Sequence, residues 1–196
     1  MKAIRVHRYG GPEVLELEEI PVPAPGPNEV LVKVAAAGVG PWDALVRTGK
    51  SGVAQTLPLT PGSDIAGVVD RVGSNVTAFA VGDTVFGCTN ASFVNGYAEF
   101  ARAEAGMIAA APTSISAVEA ASVPVVAVMA WDMLFTHADL KSGETVLIQG
   151  ASGNVGGYAV QLARSAGARV LTAADNEKGR RRHRHRRRRC TASFVR

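Results

Sequence analysis

Cysteines and long apolar runs are scarce or missing in this sequence. Only Cys88 and Cys190 occur among the 196 residues, and two isolated cysteines do not form a disulfide framework. No run approaches the roughly 20 apolar residues that a membrane span needs. Residues 1–8 also lack the apolar core of a signal peptide. We therefore expect a cytoplasmic protein with no membrane partner.

Acidic residues are missing from the C-terminal tail. Residues 179–196 hold nine arginines and no acid, so residues 1–178 hold 12 basic and 17 acidic residues, a net charge of −5. The overall charge of +4 therefore comes from the tail alone. A mildly acidic body gives no support to nucleic acid as a partner.

Short strand patterns and frequent turn residues fill residues 1–110, which predicts a compact, barrel-like β domain. Gly67, inside the strand predicted over 65–72, is expected at a bulge or a point of close backbone approach. The pattern changes at Ser116, where Ser116 and Glu119 have the spacing of a helix capping box. Residues 125–137 then have helical apolar spacing.

A strand, a glycine turn and a helix follow one another after residue 144. The apolar run over 146–148 predicts a buried strand, and a second run begins at Val170 beyond the helix. In a dinucleotide-binding unit, Gly150 would allow the tight turn, Gly153 the approach of a pyrophosphate, and Gly156 close helix packing. The helix N-terminus would present N–H groups to the phosphates. A small-residue turn in another kind of α/β unit is the alternative. The predicted cofactor-binding residues here are Gly150, Ala151, Ser152, Gly153, Asn154, Val155 and Gly156.

Over residues 1–178, these features resemble the medium-chain dehydrogenase/reductase superfamily, and within it the zinc-free quinone oxidoreductase branch. The stretches that carry the resemblance are 38–43, 61–67, 81–86, 96–99, 130–131 and 140–156. The resemblance implies a mixed α/β fold with a GroES-like β-barrel domain over 1–115. Connecting helices and the first β-α-β unit of an NADP-binding Rossmann domain would follow over 116–178. It also implies hydride transfer from NADPH to a quinone or an α,β-unsaturated carbonyl, and it allows a homodimer for an intact relative.

The metal ligands of zinc-containing relatives are absent from the matching positions. Where those relatives carry a cysteine, this chain has Gly40 or Pro41, and where they carry Gly-His-Glu it has Gly-Ser-Asp at 62–64. Their structural-zinc loop has four cysteines, whereas only Cys88 lies in that region here. We therefore expect no zinc site, and polarisation of the substrate carbonyl by hydrogen bonds alone.

No catalytic residue is assigned from the sequence. Relatives often carry Asn at the position of Gly40 and Thr at that of Met129, both near the nicotinamide, and this chain has neither. Trp42 would line a flat substrate pocket or, equally well, pack as a core aromatic. His7 and His137 are interpreted as ordinary surface or packing residues rather than ligands.

The choice between NAD and NADP depends on the end of the second strand. An acidic residue there accepts hydrogen bonds from the ribose 2′-OH, whereas a 2′-phosphate favours small or basic neighbours. The acid position of NAD-dependent relatives aligns with Ala174, and Asp175 comes one residue later. Lys178 is placed to meet a phosphate. We predict NADP as the cofactor, with Asp175 as the residue that favours NAD.

The resemblance stops after Lys178, where residues 180–189 comprise eight arginines and two histidines. Reading such codons one base later allows residues 180–184 to become Asp-Ala-Val-Ile-Asp, close to the family's next strand. Our hypothesis is a frameshift that leaves a truncated chain, with a disordered or frameshifted tail and little reductase activity. The alternative is a non-catalytic fragment or a binding module whose basic tail contacts nucleic acid or another anionic surface.

Overall fold

The computed structural model describes residues 1–53 and 55–173. It forms two compact units, Met1–Val125 and Val126–Arg196, the second described as far as Ala173. The predictions for Asp175, Lys178 and the arginine-rich tail lie outside the described residues. The division follows Val125, whereas the sequence placed it after residue 115, and the domain assignment itself stays a prediction.

The first unit is built around an antiparallel sheet of five strands in the order β6-β3-β4-β5-β7, with β1 and β2 forming a separate pair. Its strands are β1 (Lys2–Arg5), β2 (Glu16–Glu19), β3 (Glu29–Ala37), β4 (Asp64–Val72), β5 (Thr84–Cys88), β6 (Phe100–Glu104) and β7 (Ile108–Ala110). The central strand β3 pairs with β4 on one edge and β6 on the other, and its residues Val30, Leu31 and Val32 are fully buried. This apolar sheet centre is the main core of the unit.

Gly67 lies where β4 comes very close to β3. A Cβ atom at this position would stand 2.1 Å from the carbonyl oxygen of Lys33, and the strand register shifts beside it, between Val34 and Ala36. Any side chain would therefore push the two strands apart. The predicted point of close backbone approach is confirmed.

The described region before the glycine turn also contains two 3₁₀ turns (Pro12–Val14 and Ala105–Met107), a π-helical turn over Asp132–His137 and three α-helices. They are α1 (Pro41–Arg47), α2 (Ala117–Ala120) and α3 (Pro124–Trp131). The capping box predicted for α2 is present, since the Glu119 N–H donates to Ser116 Oγ at 3.3 Å and the Ser116 N–H donates to Glu119 Oε2 at 2.8 Å. Pro124 then opens α3, as its fixed φ and missing N–H favour a first helical position.

The second unit contains a parallel β-α-β arrangement made of β8 (Thr145–Gln149), α4 (Asn154–Ser165) and β9 (Arg169–Ala173). One face of the strands carries Ile148 and packs beneath α4, where Ala159 and Ala163 are buried. Leu147, on the opposite face of β8, is 56% exposed. Among the described residues, no helix is both long and apolar enough to cross a membrane.

Candidate functional site

The turn between β8 and α4 depends on the backbone freedom of Gly150. This residue has φ +66°, a left-handed conformation that side chains rarely adopt. Its carbonyl oxygen accepts a hydrogen bond from the N–H of Gly153 at 2.9 Å, which closes the turn. The chain is thereby directed from the end of the strand straight into the helix.

The three neighbouring glycines differ sharply in how much room surrounds them. A Cβ atom on Gly156 would stand 2.3 Å from the carbonyl oxygen of Gly150 and 2.8 Å from Cα of Ala151, which the backbone cannot accommodate. The same atom on Gly153 would lie 3.3 Å from that oxygen, and on Gly157 it would meet nothing within 4 Å. Gly156 is therefore required for packing, whereas Gly153 lies at the open side of the turn.

The start of α4 offers hydrogen-bond donors to a ligand. Gly153 is the cap residue, with extended backbone and no side-chain cap, and both Gly153 and Asn154 are exposed. The first N–H groups of a helix have no carbonyl partner within it and carry partial positive charge. No acidic side chain lies in this first turn to compete for them. The turn thus has the form and polarity that an anionic group requires.

The remaining predicted residues lie in the same segment. Ala151 is buried in the core of the second unit, and Val155 packs at the edge of that core. Ser152, between them in sequence, is half-buried. The structure therefore brings the seven residues from Gly150 to Gly156 into one strand–turn–helix segment. Their role in binding a dinucleotide stays a prediction.

A second polar cluster, not found from the sequence, lies inside the first unit around Asp43. Asp43 is 6% exposed, and its Oδ2 accepts hydrogen bonds from the Gly40 N–H and from Tyr97 Oη, both at 2.7 Å. Its Oδ1 is buried without a hydrogen-bond partner. Burial raises the pKa of Asp43, and burial together with the nearby carboxylate raises the pKa of Tyr97. Tyr97 therefore stays protonated and serves as a donor.

The indole of Trp42 is fixed beside this pair. Its Nε1 donates to Oγ of Ser63, which is fully buried, at 3.2 Å. A Cβ atom on Gly40 would lie 2.2 Å from the indole ring, so the ring covers the backbone of Gly40. Trp42 itself is half-buried. Neither of the two roles considered for it, pocket wall or core aromatic, is decided by these contacts.

Asp64 is the other buried acid of the first unit. It is 4% exposed, and its Oδ1 accepts a hydrogen bond from the Val125 N–H at 3.0 Å, in the first turn of α3. The thiol of Cys88 donates to the same oxygen at 3.6 Å. Burial raises the pKa of Asp64 to about 6, and burial with the adjacent carboxylate raises the pKa of Cys88 to about 12.

The side chains at positions that correspond to zinc ligands in relatives make other contacts, and the absence of a zinc site there stays a prediction. Zinc is bound by thiolates, and the Cys88 group is held as a thiol that donates to Asp64. Asp64 itself is engaged by a backbone N–H, and Ser63 by the indole of Trp42. These side chains are committed to holding the unit together.

The architecture as a whole defines a class of protein: an antiparallel β unit followed by a dinucleotide-type β-α-β unit with a glycine turn. The family model for the alcohol dehydrogenase GroES-like domain matches residues 26–167. The chain therefore belongs to this family, within the medium-chain dehydrogenase/reductase superfamily.

Individual relatives agree with the family assignment. The quinone oxidoreductase of Homo sapiens is 42% identical over 182 residues, which are 92% of this chain and 55% of that protein. An alcohol dehydrogenase superfamily protein from Novosphingobium aromaticivorans matches with a TM-score of 0.83 and 39% identity, covering 92% of this chain and 56% of its own. Escherichia coli quinone oxidoreductase, solved with NADPH, matches with a TM-score of 0.80 and 30% identity, covering 91% and 54%. The chain spans about half the length of the curated relatives it matches.

Proposed function

We propose that this chain belongs to a zinc-independent, NADPH-dependent oxidoreductase that transfers hydride to a quinone or an α,β-unsaturated carbonyl. Residues 1–115 would form its GroES-like domain, and residues 116–178 its connecting helices and the first part of its NADP-binding domain. The reaction would take place in the cytoplasm, and an intact relative would act as a homodimer.

The strand–turn–helix segment from β8 to α4 is the observation that carries this proposal. A left-handed Gly150, a sterically required Gly156 and an exposed helix N-terminus at Gly153 are the three features that a pyrophosphate site needs. They occur together, and β9, which follows the helix in sequence, pairs in parallel with β8. A small-residue turn in another α/β unit would not need all three.

The roles of this chain's own residues follow from their positions. The N–H groups at the start of α4 would bind the phosphates, and Gly153, with no side chain, would let them approach the backbone. A bound nicotinamide supplies the hydride. No side chain is assigned as an acid, because a reduced quinone oxygen can take its proton from solvent.

The preference for NADP is supported by the solved relative from Escherichia coli, whose structure contains NADPH. In this chain we assign the selection to Lys178, which would meet a 2′-phosphate, against Asp175, which would favour the 2′-OH of NAD. Both residues follow β9 in the sequence, and in such units the ribose binds beyond the end of the second strand.

Cofactor binding can be tested directly by titrating the 196-residue chain with NADPH and with NADH and following the fluorescence of the nicotinamide. We expect NADPH to bind more tightly. A Gly153→Ala variant should bind NADPH about tenfold more weakly, equivalent to about 1.4 kcal/mol, because its methyl group projects toward the phosphates.

The matched control is Gly157→Ala, which adds the same methyl group four residues after Gly153, inside α4 and in open space. It should bind NADPH as the unmodified chain does. Equal binding by both variants, or no binding of either nucleotide by a folded chain, would contradict the proposed site.

A further inference from the structure

Three side chains with metal-ligating atoms converge beside the β1–β2 pair of the first unit. A ring nitrogen of His7 and carboxylate oxygens of Glu16 and Glu18 all lie within 4.8 Å of one another. His7 Nε2 is 2.5 Å from Glu18 Oε1. Within residues 1–53 and 55–173, no other group of three or more His, Cys, Asp or Glu side chains converges in this way.

The strand register explains why residues so far apart in sequence meet here. In the antiparallel pair, Arg5 stands opposite Glu16 and Ala3 opposite Glu18. Paired residues project from the same face, and His7 follows Arg5 by two positions, so it projects from that face as well. The backbone just before His7 is held by two hydrogen bonds between Val6 and Leu59. The cluster therefore rests on sheet geometry rather than on a free loop.

Arg5 lies beside the two carboxylates but does not neutralise both. Its guanidinium donates to Thr60 Oγ1 and to the carbonyl of Pro58, each at 3.3 Å, while its Nε is 3.9 Å from Glu18. The Glu16 side chain has no hydrogen bond or ion pair with any described residue. The face thus keeps an uncompensated carboxylate next to an imidazole and a second carboxylate.

We propose that His7, Glu16 and Glu18 bind one divalent transition-metal ion. One imidazole nitrogen and two carboxylate oxygens form a ligand set that suits Zn²⁺ and its neighbours, with a position left open for water. Mg²⁺ and Ca²⁺ prefer oxygen ligands alone and are not expected to bind well. This proposal differs from the interpretation of His7 as an ordinary surface or packing residue. It is independent of the hydride-transfer chemistry proposed above.

The test is calorimetric titration of the full chain with ZnCl₂. Because His183, His185 and Cys190 could also bind zinc, the reference protein carries His183→Ala, His185→Ala and Cys190→Ser. We expect one zinc equivalent to bind to this reference, and MgCl₂ to give no comparable binding. Loss of a residue that supports a metal ligand weakens metal binding about 10–100-fold. Loss of a ligand itself should weaken zinc binding at least as much. His7→Ala and Glu16→Gln should each show this loss.

Glu19→Gln is the matched control, since Glu19 neighbours Glu18 in β2 but is paired with Lys2 and projects from the opposite face. It should bind zinc as the reference does. Because Glu16 is exposed, Glu16→Gln should fold normally. It therefore tests the site even if His7→Ala fails to fold. The proposal is overturned if the reference binds no zinc, if all variants bind equally, or if Glu19→Gln loses as much as Glu16→Gln.

Discussion

At the scale of single residues, Asp64 shows how a buried acid can be structural and yet sensitive to pH. Its carboxylate holds the first turn of α3 through the Val125 N–H, but burial makes the charged form unfavourable. Asp43 and Tyr97 interact electrostatically with Asp64, and the Cys88 thiol donates a hydrogen bond to it. Deprotonation of Asp64 in the folded state therefore takes place near neutral pH.

We predict that the contribution of Asp64 to the free energy of unfolding falls as pH rises from 5 to 7.5. Its pKa is raised from 3.8 to about 6 on folding, so the folded state binds more protons than the unfolded state in this window. Stability from this group is greatest below pH 4 and is lost as pH rises through 6. The limit is about 3 kcal/mol at neutral pH, at about 1.4 kcal/mol for each pKa unit.

Asp64→Asn should flatten this pH dependence, as measured by chemical denaturation at pH 5 and 7.5. The amide keeps an acceptor oxygen for the Val125 N–H, so the diagnostic quantity is the pH slope and not the absolute stability. Asp70→Asn, at an exposed position of the same strand, is the control and should leave the slope unchanged. An unaltered slope in Asp64→Asn would show that Asp64 is not the titrating group.

The hydrogen bonds of buried Asp64 and Asp43 show which side-chain contacts are hard to predict from the sequence. The capping box of Ser116 and Glu119 is visible because its residues are three apart. The cap that Asp64 provides joins residues 61 apart, and no local pattern reveals it. Asp43 had a weaker local signal, since its spacing from Gly40 is that of a residue reaching back to a helix start.

At the scale of secondary-structure elements, the strand–turn–helix segment is the part that the sequence predicts most fully. The strand, the glycine spacing and the helix are all local patterns, and β8, α4 and β9 follow them closely. The π-helical turn over Asp132–His137 departs from the predicted helix pattern, because apolar spacing does not distinguish an α-helix from one locally widened turn. The order β6-β3-β4-β5-β7 likewise depends on long-range pairing.

Substitution of neighbouring glycines in α4 should separate packing from helix propensity. Gly156→Ala should destabilise the second unit by more than about 2 kcal/mol, because its Cβ would overlap the backbone of Gly150 and Ala151. Gly157→Ala should instead raise stability by up to about 1 kcal/mol, the usual gain of alanine over glycine in a helix. Thermal unfolding followed by circular dichroism measures both, and equal effects of the two changes would refute the packing argument.

At the scale of the whole molecule, the two units differ in how completely they bury apolar surface. The first unit has a sheet centre whose residues are fully buried. In the described part of the second unit, the helical segments pack into one core with Ile148 of β8, whereas Leu147 on the other face of that strand is 56% exposed. Parallel sheets are ordinarily covered on both faces. The glycine turn therefore follows a strand whose second face is exposed at Leu147.

We predict that the 196-residue chain binds NADPH but has little or no reductase activity. The glycine turn that we propose for phosphate binding needs only β8 and α4, whereas hydride transfer needs the nicotinamide and the substrate held in near-contact. The curated relatives are quinone oxidoreductases, and the chain spans about half of their length. NADPH oxidation in the presence of a naphthoquinone should therefore stay at background, while Escherichia coli quinone oxidoreductase, assayed alongside, turns over. Quinone-dependent turnover that disappears in Gly153→Ala would refute this prediction and show that the described units suffice for the reaction.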